Sequence, residues 1–117
     1  MSALIHEGRE APQDPVRWDP DNREWVSISW AESVARHGAI QASEWRLPDG
    51  WTAHDTRTDV TVYDVDQTEY AHANQVEVSA ESAEEALAAR LVLFTNRVTF
   101  ADGTQLDRSA RFWVAEQ

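Results

Sequence analysis

The chain contains no cysteine, no lysine, one methionine and four glycines among its 117 residues. The lack of cysteine excludes a disulfide framework and a zinc–thiolate site. Four glycines, none in a phosphate-cradling run, exclude a nucleotide-binding glycine loop, and no G-x-S-x-G nucleophile turn is present. No apolar run approaches the roughly 18 residues that cross a bilayer, and MSALIHEGREAPQ has neither the basic region nor the apolar stretch of a secretory signal. These features predict a soluble chain without a membrane partner. Basic residues are scarce: ten, all Arg, stand against 21 acids, giving a formal charge of -11. That balance argues against nucleic acid as a partner, because phosphate affinity comes from clustered Lys and Arg releasing counterions. It leaves a basic protein surface, or solubility alone, as the use of the charge. Arginine suits interfaces through its planar fork, but a GC-rich coding bias is the plainer reason for the missing lysine.

The length fits one domain with one core. Residues 1–20 carry Pro12, Pro15 and Pro20 among polar neighbours, which predicts an extended N-terminal arm preceding a domain over 21–117. Such an arm is either a frayed terminus or a strap that orders on a neighbouring subunit. From Trp25 the pattern alternates, with Val26, Ile28 and Trp30 on one face, and Ser43, Trp45 and Leu47 repeat it over residues 40–47. Between them, Ala31 to His37 reads as a short helix, with Ser29 and Glu32 at capping-box spacing and Gly38 at the C-cap. Pro48-Asp49-Gly50 marks a turn, after which Trp51 restarts extended chain. Residues 59–65 and 70–78 read as strands around a turn at Asp66 to Thr68. Ser82 and Glu85 then open a helix over residues 83–89.

The last quarter is a hairpin, LVLFTNRVTF and QLDRSARFWV around Asp102-Gly103. If those two residues form a type I′ turn, Leu91 faces Val114, Leu93 faces Phe112 and Thr99 faces Leu106 on the core side, with Val92 and Phe94 on the other. The predicted core is therefore Val26, Ile28, Trp30, Trp45, Leu91, Leu93, Phe112 and Val114. The same register sets Arg97 opposite Arg108 as a buried polar network, a like-charge pair that needs carboxylates from another strand or loop. An anion site built from the two is the functional alternative. About six or seven short strands, frequent turns and one or two short helices together predict an all-β chain, an immunoglobulin-like β-sandwich.

Little here promises catalysis. His6, His37, His54 and His72 lack a nucleophile motif, and adjacent His54 and Asp55 point apart on extended chain. Asp64, Asp66 and Glu69 offer at most a two-ligand metal site, because the sixth position of an EF-hand loop needs Gly and here holds Glu69. They read better as a charged edge that discourages strand pairing. The expectation is no catalytic site, no metal and no cofactor. Six Trp are many for this length. Trp18, Trp25 and Trp51, outside the clearest alternating faces, are candidate interface anchors with Arg9 and Arg17, since Trp and Arg dominate binding hot spots. The same Trp suit a carbohydrate-binding or adhesion module as stacking platforms.

Thr95-Asn96-Arg97-Val98-Thr99, the Asp102-Gly103 turn and Asp107-Arg108-Ser109 resemble the ending of bacteriophage fibre-tail adaptor proteins. Asp19-Pro20, Ser27-Ile28-Ser29-Trp30, Ile40, Ser43 and Trp45 are similar to that family's opening, although Ser29 stands where the family usually has Asp. The middle of this chain is longer, and residues 1–18 precede the family's usual start. The resemblance implies a small immunoglobulin-like virion structural protein, made in the host cytoplasm and placed at the neck or tail. There, several copies, in a ring-like arrangement, would link portal, neck or tail components to fibres. It carries no catalytic residues. A capsid decoration protein is a further possibility of the same kind.

Overall fold

The computed structural model of the chain describes residues 3–6, 16–64 and 66–115. The order is β1 (Ala3–His6), β2 (Val16–Trp18), β3 (Glu24–Ser29), α1 (Ala31–His37), β4 (Ile40–Arg46), β5 (Trp51–Tyr63), β6 (Glu69–Ala80), α2 (Ala83–Ala89), β7 (Leu91–Phe100) and β8 (Gln105–Val114). The fold is all-β with two short helices. Its strands form two four-stranded sheets, β1-β3-β6-β5 and β2-β8-β7-β4. All pairings are antiparallel except β1 with β3 and β2 with β8. The arm thus adds an edge strand to each sheet. The extended chain from Trp51 and the strand expected over 59–65 are one long β5, bent by register shifts between Ala53 and Asp55 and around Val60.

Both sheets contribute to one core. Val26, Ile28, Val76 and Val78 come from the first, and Val92, Phe94, Val98, Phe100, Ala110, Phe112 and Val114 from the second. Trp18 sits among them, 1% exposed, with edge-on rings of Trp51 and Phe112 at 5.7 and 5.0 Å and Phe94 at 5.7 Å. Each such aromatic pair adds about 0.5–1.5 kcal/mol beyond its buried area. Trp18 and Trp51 are therefore core residues, and Trp18, 1% exposed, is not an interface anchor. Their local sequence is polar and proline-rich, and their partners lie on distant strands that local patterning does not reveal. Trp45 is half-buried at the core margin because β4 is an edge strand.

The hairpin register departs from expectation by one residue. Its loop is Ala101-Asp102-Gly103: Gly103 N–H donates to Phe100 C=O and Phe100 N–H to Thr104 C=O, both at 2.9 Å. Only Gly103 takes positive φ, as a three-residue loop requires. The loop is also held from outside, by Ala101 and Asp102 N–H groups donating to the carbonyls of Ala39 and His37. Leu91 now faces Trp113, Val92 faces Phe112 and Phe94 faces Ala110. Because side chains alternate with period two, the shift turns Val92, Phe94, Val98 and Phe100 inward, and leaves Leu91 and Leu93 43% and 45% exposed. The expectation that Leu91 and Leu93 are core is corrected.

The predicted Arg97–Arg108 pair disappears with the old register. Arg97 lies opposite Asp107 and donates to both its carboxylate oxygens, at 2.8 and 3.1 Å. Arg108 lies opposite Asn96, exposed, with its guanidinium 5.9 Å from the Trp30 ring centre. The buried polar network is instead built on amides. Asn96, fully buried, accepts from Trp30 Nε1 and Asn74 Nδ2 at 2.9 Å each, and donates to Ser43 Oγ and the Glu44 carbonyl. Asn74, also fully buried, accepts the Asp59 N–H. These bonds tie the two sheets through their shared core.

Both helices match their expected spans. At α2 the Ser82 hydroxyl accepts the Glu85 N–H at 3.3 Å. At α1 the N-cap is Trp30 and no side chain caps the turn, because the Ser29 hydroxyl donates to the Ala71 carbonyl instead.

Candidate interaction surface

The outward face of the second sheet is built by alternate residues of β4, β7 and β8. Toward the hairpin turn its side chains satisfy one another. Arg97 pairs with Asp107, the Thr95 and Ser109 hydroxyls share a bond of 2.7 Å, and Gln105 Nε2 donates to Thr99 Oγ1 at 3.1 Å. The mutual bond lowers the Asp107 carboxyl below its usual range and raises the Arg97 guanidinium. Arg46 stands 3.6 Å from Glu44 on the adjoining strand.

At the opposite end the face turns apolar. Leu91, Leu93 and Trp113 project from neighbouring strands, Leu91 directly opposite Trp113, and Trp113 is 50% exposed. Arg111 faces Leu93. Trp113 and Arg111, two positions apart on one face of β8, are of the residue types enriched in binding hot spots, and the exposed leucines beside them add apolar area. The charge pattern separates this face from the rest: Arg46, Arg97 and Arg111 outnumber Glu44 and Asp107, in a chain with 21 acids against ten bases.

Beside Leu91 and Leu93 runs a groove of about 310 Å³, bounded by Pro48 to Trp51, by Glu85, Ala86 and Ala89 of α2, and by the start of β7. Its walls follow from local sequence. Gly50 takes positive φ and its carbonyl accepts the Glu81 N–H at 2.8 Å, fixing the Pro48-Asp49-Gly50 turn against the end of β6. The end of α2 is held by the Arg90 N–H on the Ala86 carbonyl, and by the Val114 N–H on the Arg90 carbonyl. The charged residues lining the groove, Asp49 and Glu85, are both acids.

No protein-family model matches the sequence, and no curated protein or solved structure is significantly similar to it.

The residues expected to form an interface are dispersed. Trp18 and Trp51 are in the core, although the edge of Trp51 reaches the groove. Trp25 is half-buried under the Arg57 guanidinium, 4.3 Å from its ring centre. Arg17 contributes backbone to β2 opposite Trp113, and Arg9 lies outside the described residues. Leu91 and Leu93 are misplaced by the two-residue turn, which sets them opposite the core residues Val114 and Phe112, whereas Trp113 lies off the core face in either register. The signal was present: Phe112-Trp113-Val114 alternates around two core positions, and Val92, Phe94, Val98 and Phe100 form a bulkier set than Leu91, Leu93, Thr95 and Thr99.

The histidines form separate pairs. His37 Nδ1 is 2.8 Å from Asp102 Oδ2 beside the hairpin turn, His72 Nδ1 is 2.7 Å from Asp59 Oδ1, and His54 Nε2 is 2.7 Å from Ser79 Oγ. Asp102 is held below the usual carboxylate range, first by the Thr104 backbone N–H and then by the Thr104 and His37 side chains. His72 and Asp59 both have positive φ, facing each other across a bulge of β5 and β6. His6 is described in backbone only within β1. Asp64 uses Oδ1 to accept the Asp66 and Thr68 N–H groups and Oδ2 to accept the Tyr70 hydroxyl, which shapes the loop between β5 and β6. Among the described residues no group of three or more His, Asp or Glu is placed to hold a metal, and no helix is long and apolar enough to cross a membrane.

Proposed function

We propose that this chain is a non-enzymatic structural component of a bacteriophage particle, an adaptor that joins neck or tail components to fibres in several copies. The observation that carries the reading is the apolar end of the outward β7–β8 face, where Leu91, Leu93 and Trp113 stand 43–50% exposed on paired strands. Exposed aromatic and aliphatic groups on regular strands suit a preformed protein contact. The motif resemblance at both ends of the chain supplies the class of particle.

In this reading the fold is an immunoglobulin-like β-sandwich. The orders β1-β3-β6-β5 and β8-β7-β4 follow those of a constant-type immunoglobulin domain, with β2 added beside β8. The parallel pairing of β1 with β3 departs from the wholly antiparallel pattern. The bond from Trp30 to Asn96 joins the end of β3 to β7, the two strands that a disulfide links in antibody domains. The carbohydrate-binding reading loses two of its three platforms, because Trp18 and Trp51 are packed edge-on in the core.

The test is the mass of the purified full-length protein, alone and mixed with neck, tail and fibre proteins of the phage that encodes it. The adaptor reading expects a defined multicopy complex, or capture of one of those proteins. A chain that stays monomeric and captures only glycans refutes it.

A further inference from the structure

The groove between the Pro48-Asp49-Gly50 turn, α2 and the start of β7 has a chemistry that the general reading leaves unused. Its walls are apolar: Trp51, Ala86, Ala89, Leu91, Val92 and Leu93. About 310 Å³ is at the lower end of the range for pockets that bind ligands, enough for bulky side chains and small for a cofactor. The two charged residues in its lining, Asp49 and Glu85, come from different elements and bear the same sign. Glu85 stands in the first turn of α2, its N–H on the Ser82 cap, so its backbone belongs to a capped helix at the rim and not to a free loop.

We infer that this groove receives an extended segment of a partner protein in which a bulky aliphatic or aromatic side chain is flanked by arginine or lysine. The apolar side chain fills the space over Val92 between Leu93 and Ala86, and the flanking cations meet Asp49 and Glu85. Charge complementarity selects this occupant. An acidic segment sets like charges against the two carboxylates, which a basic segment pairs. The inference rests on the assembly reading only in taking the partner to be a protein.

The experiment uses the full-length protein labelled with nitrogen-15 and three short amidated peptides: one alternating arginine and leucine, one with glutamate replacing arginine, and one with alanine replacing leucine. The arginine–leucine peptide is expected to shift the amides of Gly50, Glu85, Ala86 and Leu91 to Leu93. Each replacement peptide is expected to bind about fivefold or more weakly, the scale of two exposed ion pairs or of one lost apolar side chain. The variant carrying Asp49→Asn and Glu85→Gln, checked for an unchanged thermal midpoint, is expected to lose the preference for arginine over glutamate. Three results overturn the inference. One is equal binding of the arginine–leucine and arginine–alanine peptides with shifts scattered over the acidic surface. Another is no shift at millimolar peptide. The third is concentration-dependent shifts of the same amides without peptide, which assign the groove to a second copy. Failure of the full-length chain to join phage proteins refutes the adaptor role and leaves peptide binding by the groove standing, so the two failures are distinguishable.

Discussion

Replacing Asn96 by alanine tests the account of what joins the two sheets. The side chain is fully buried, and its Oδ1 is the acceptor for both Trp30 Nε1 and Asn74 Nδ2, each at 2.9 Å. Alanine leaves those two donors without an acceptor, at about 1–3 kcal/mol each for a buried unsatisfied group. It also frees Ser43 Oγ and the Glu44 carbonyl, which are only partly buried and regain solvent at lower cost. The two buried donors come to about 2–6 kcal/mol, a large share of the roughly 5–15 kcal/mol that stabilises a typical domain. With a urea slope of about 1–3 kcal/mol/M, the unfolding midpoint should fall by at least about 0.7 M at unchanged slope. Thr95→Ala, one residue away on the exposed face, loses only a solvent-accessible hydroxyl pair and should cost less than about 0.5 kcal/mol. An Asn96→Ala protein within about 0.5 kcal/mol of the parent refutes the network as a stabilising feature.

Other consequences follow from the same structure. Trp18→Ala should cost about 3–5 kcal/mol by opening a cavity among Trp51, Phe94 and Phe112, visible as a lowered thermal midpoint; an unchanged midpoint would return Trp18 to the surface. Gly38→Ala should destabilise by about 1–3 kcal/mol, because the position has φ +90° and the new Cβ would meet Ala101 Cβ at 2.9 Å; this is measurable by urea unfolding. Asp107 and Asp102 have folded carboxyls below the usual range, so their contribution to stability is present above the unfolded value near about pH 4 and is lost as pH falls through the lower folded values. Asp107→Asn should therefore flatten the acid limb of a stability–pH curve below about pH 4 and leave its shape near neutrality unchanged.

How much of this was legible in the sequence depends on the range of the interactions involved. The spans of α1 and α2 are set by near neighbours, and the Ser82–Glu85 spacing located the start of α2. Strands β7 and β8 were legible from β-rich composition around a glycine turn. Their register was not, because two-residue and three-residue loops both use Asp102-Gly103, and the choice is made by burying Phe94 and Phe100 and by the bonds that the Ala101 and Asp102 N–H groups donate to the Ala39 and His37 carbonyls. That single choice carried Leu91, Leu93, Arg97 and Arg108 to different environments at once. Trp18 was illegible for another reason: its pairing on Val114 lies at the far end of the chain, and nothing within its own segment signals burial. The groove joins a turn, a helix and a strand start, so no local motif announces it.

The most direct test of the central claim compares the parent with the double variant Leu93→Ser and Trp113→Ser, in thermal unfolding and in capture of phage neck, tail and fibre proteins. Each side chain is about half buried, so the double variant should stay folded with its stability lowered by about 2–3 kcal/mol. The account predicts that the parent forms its complex and the variant, equally folded, forms none. Equal capture by the two proteins would contradict it.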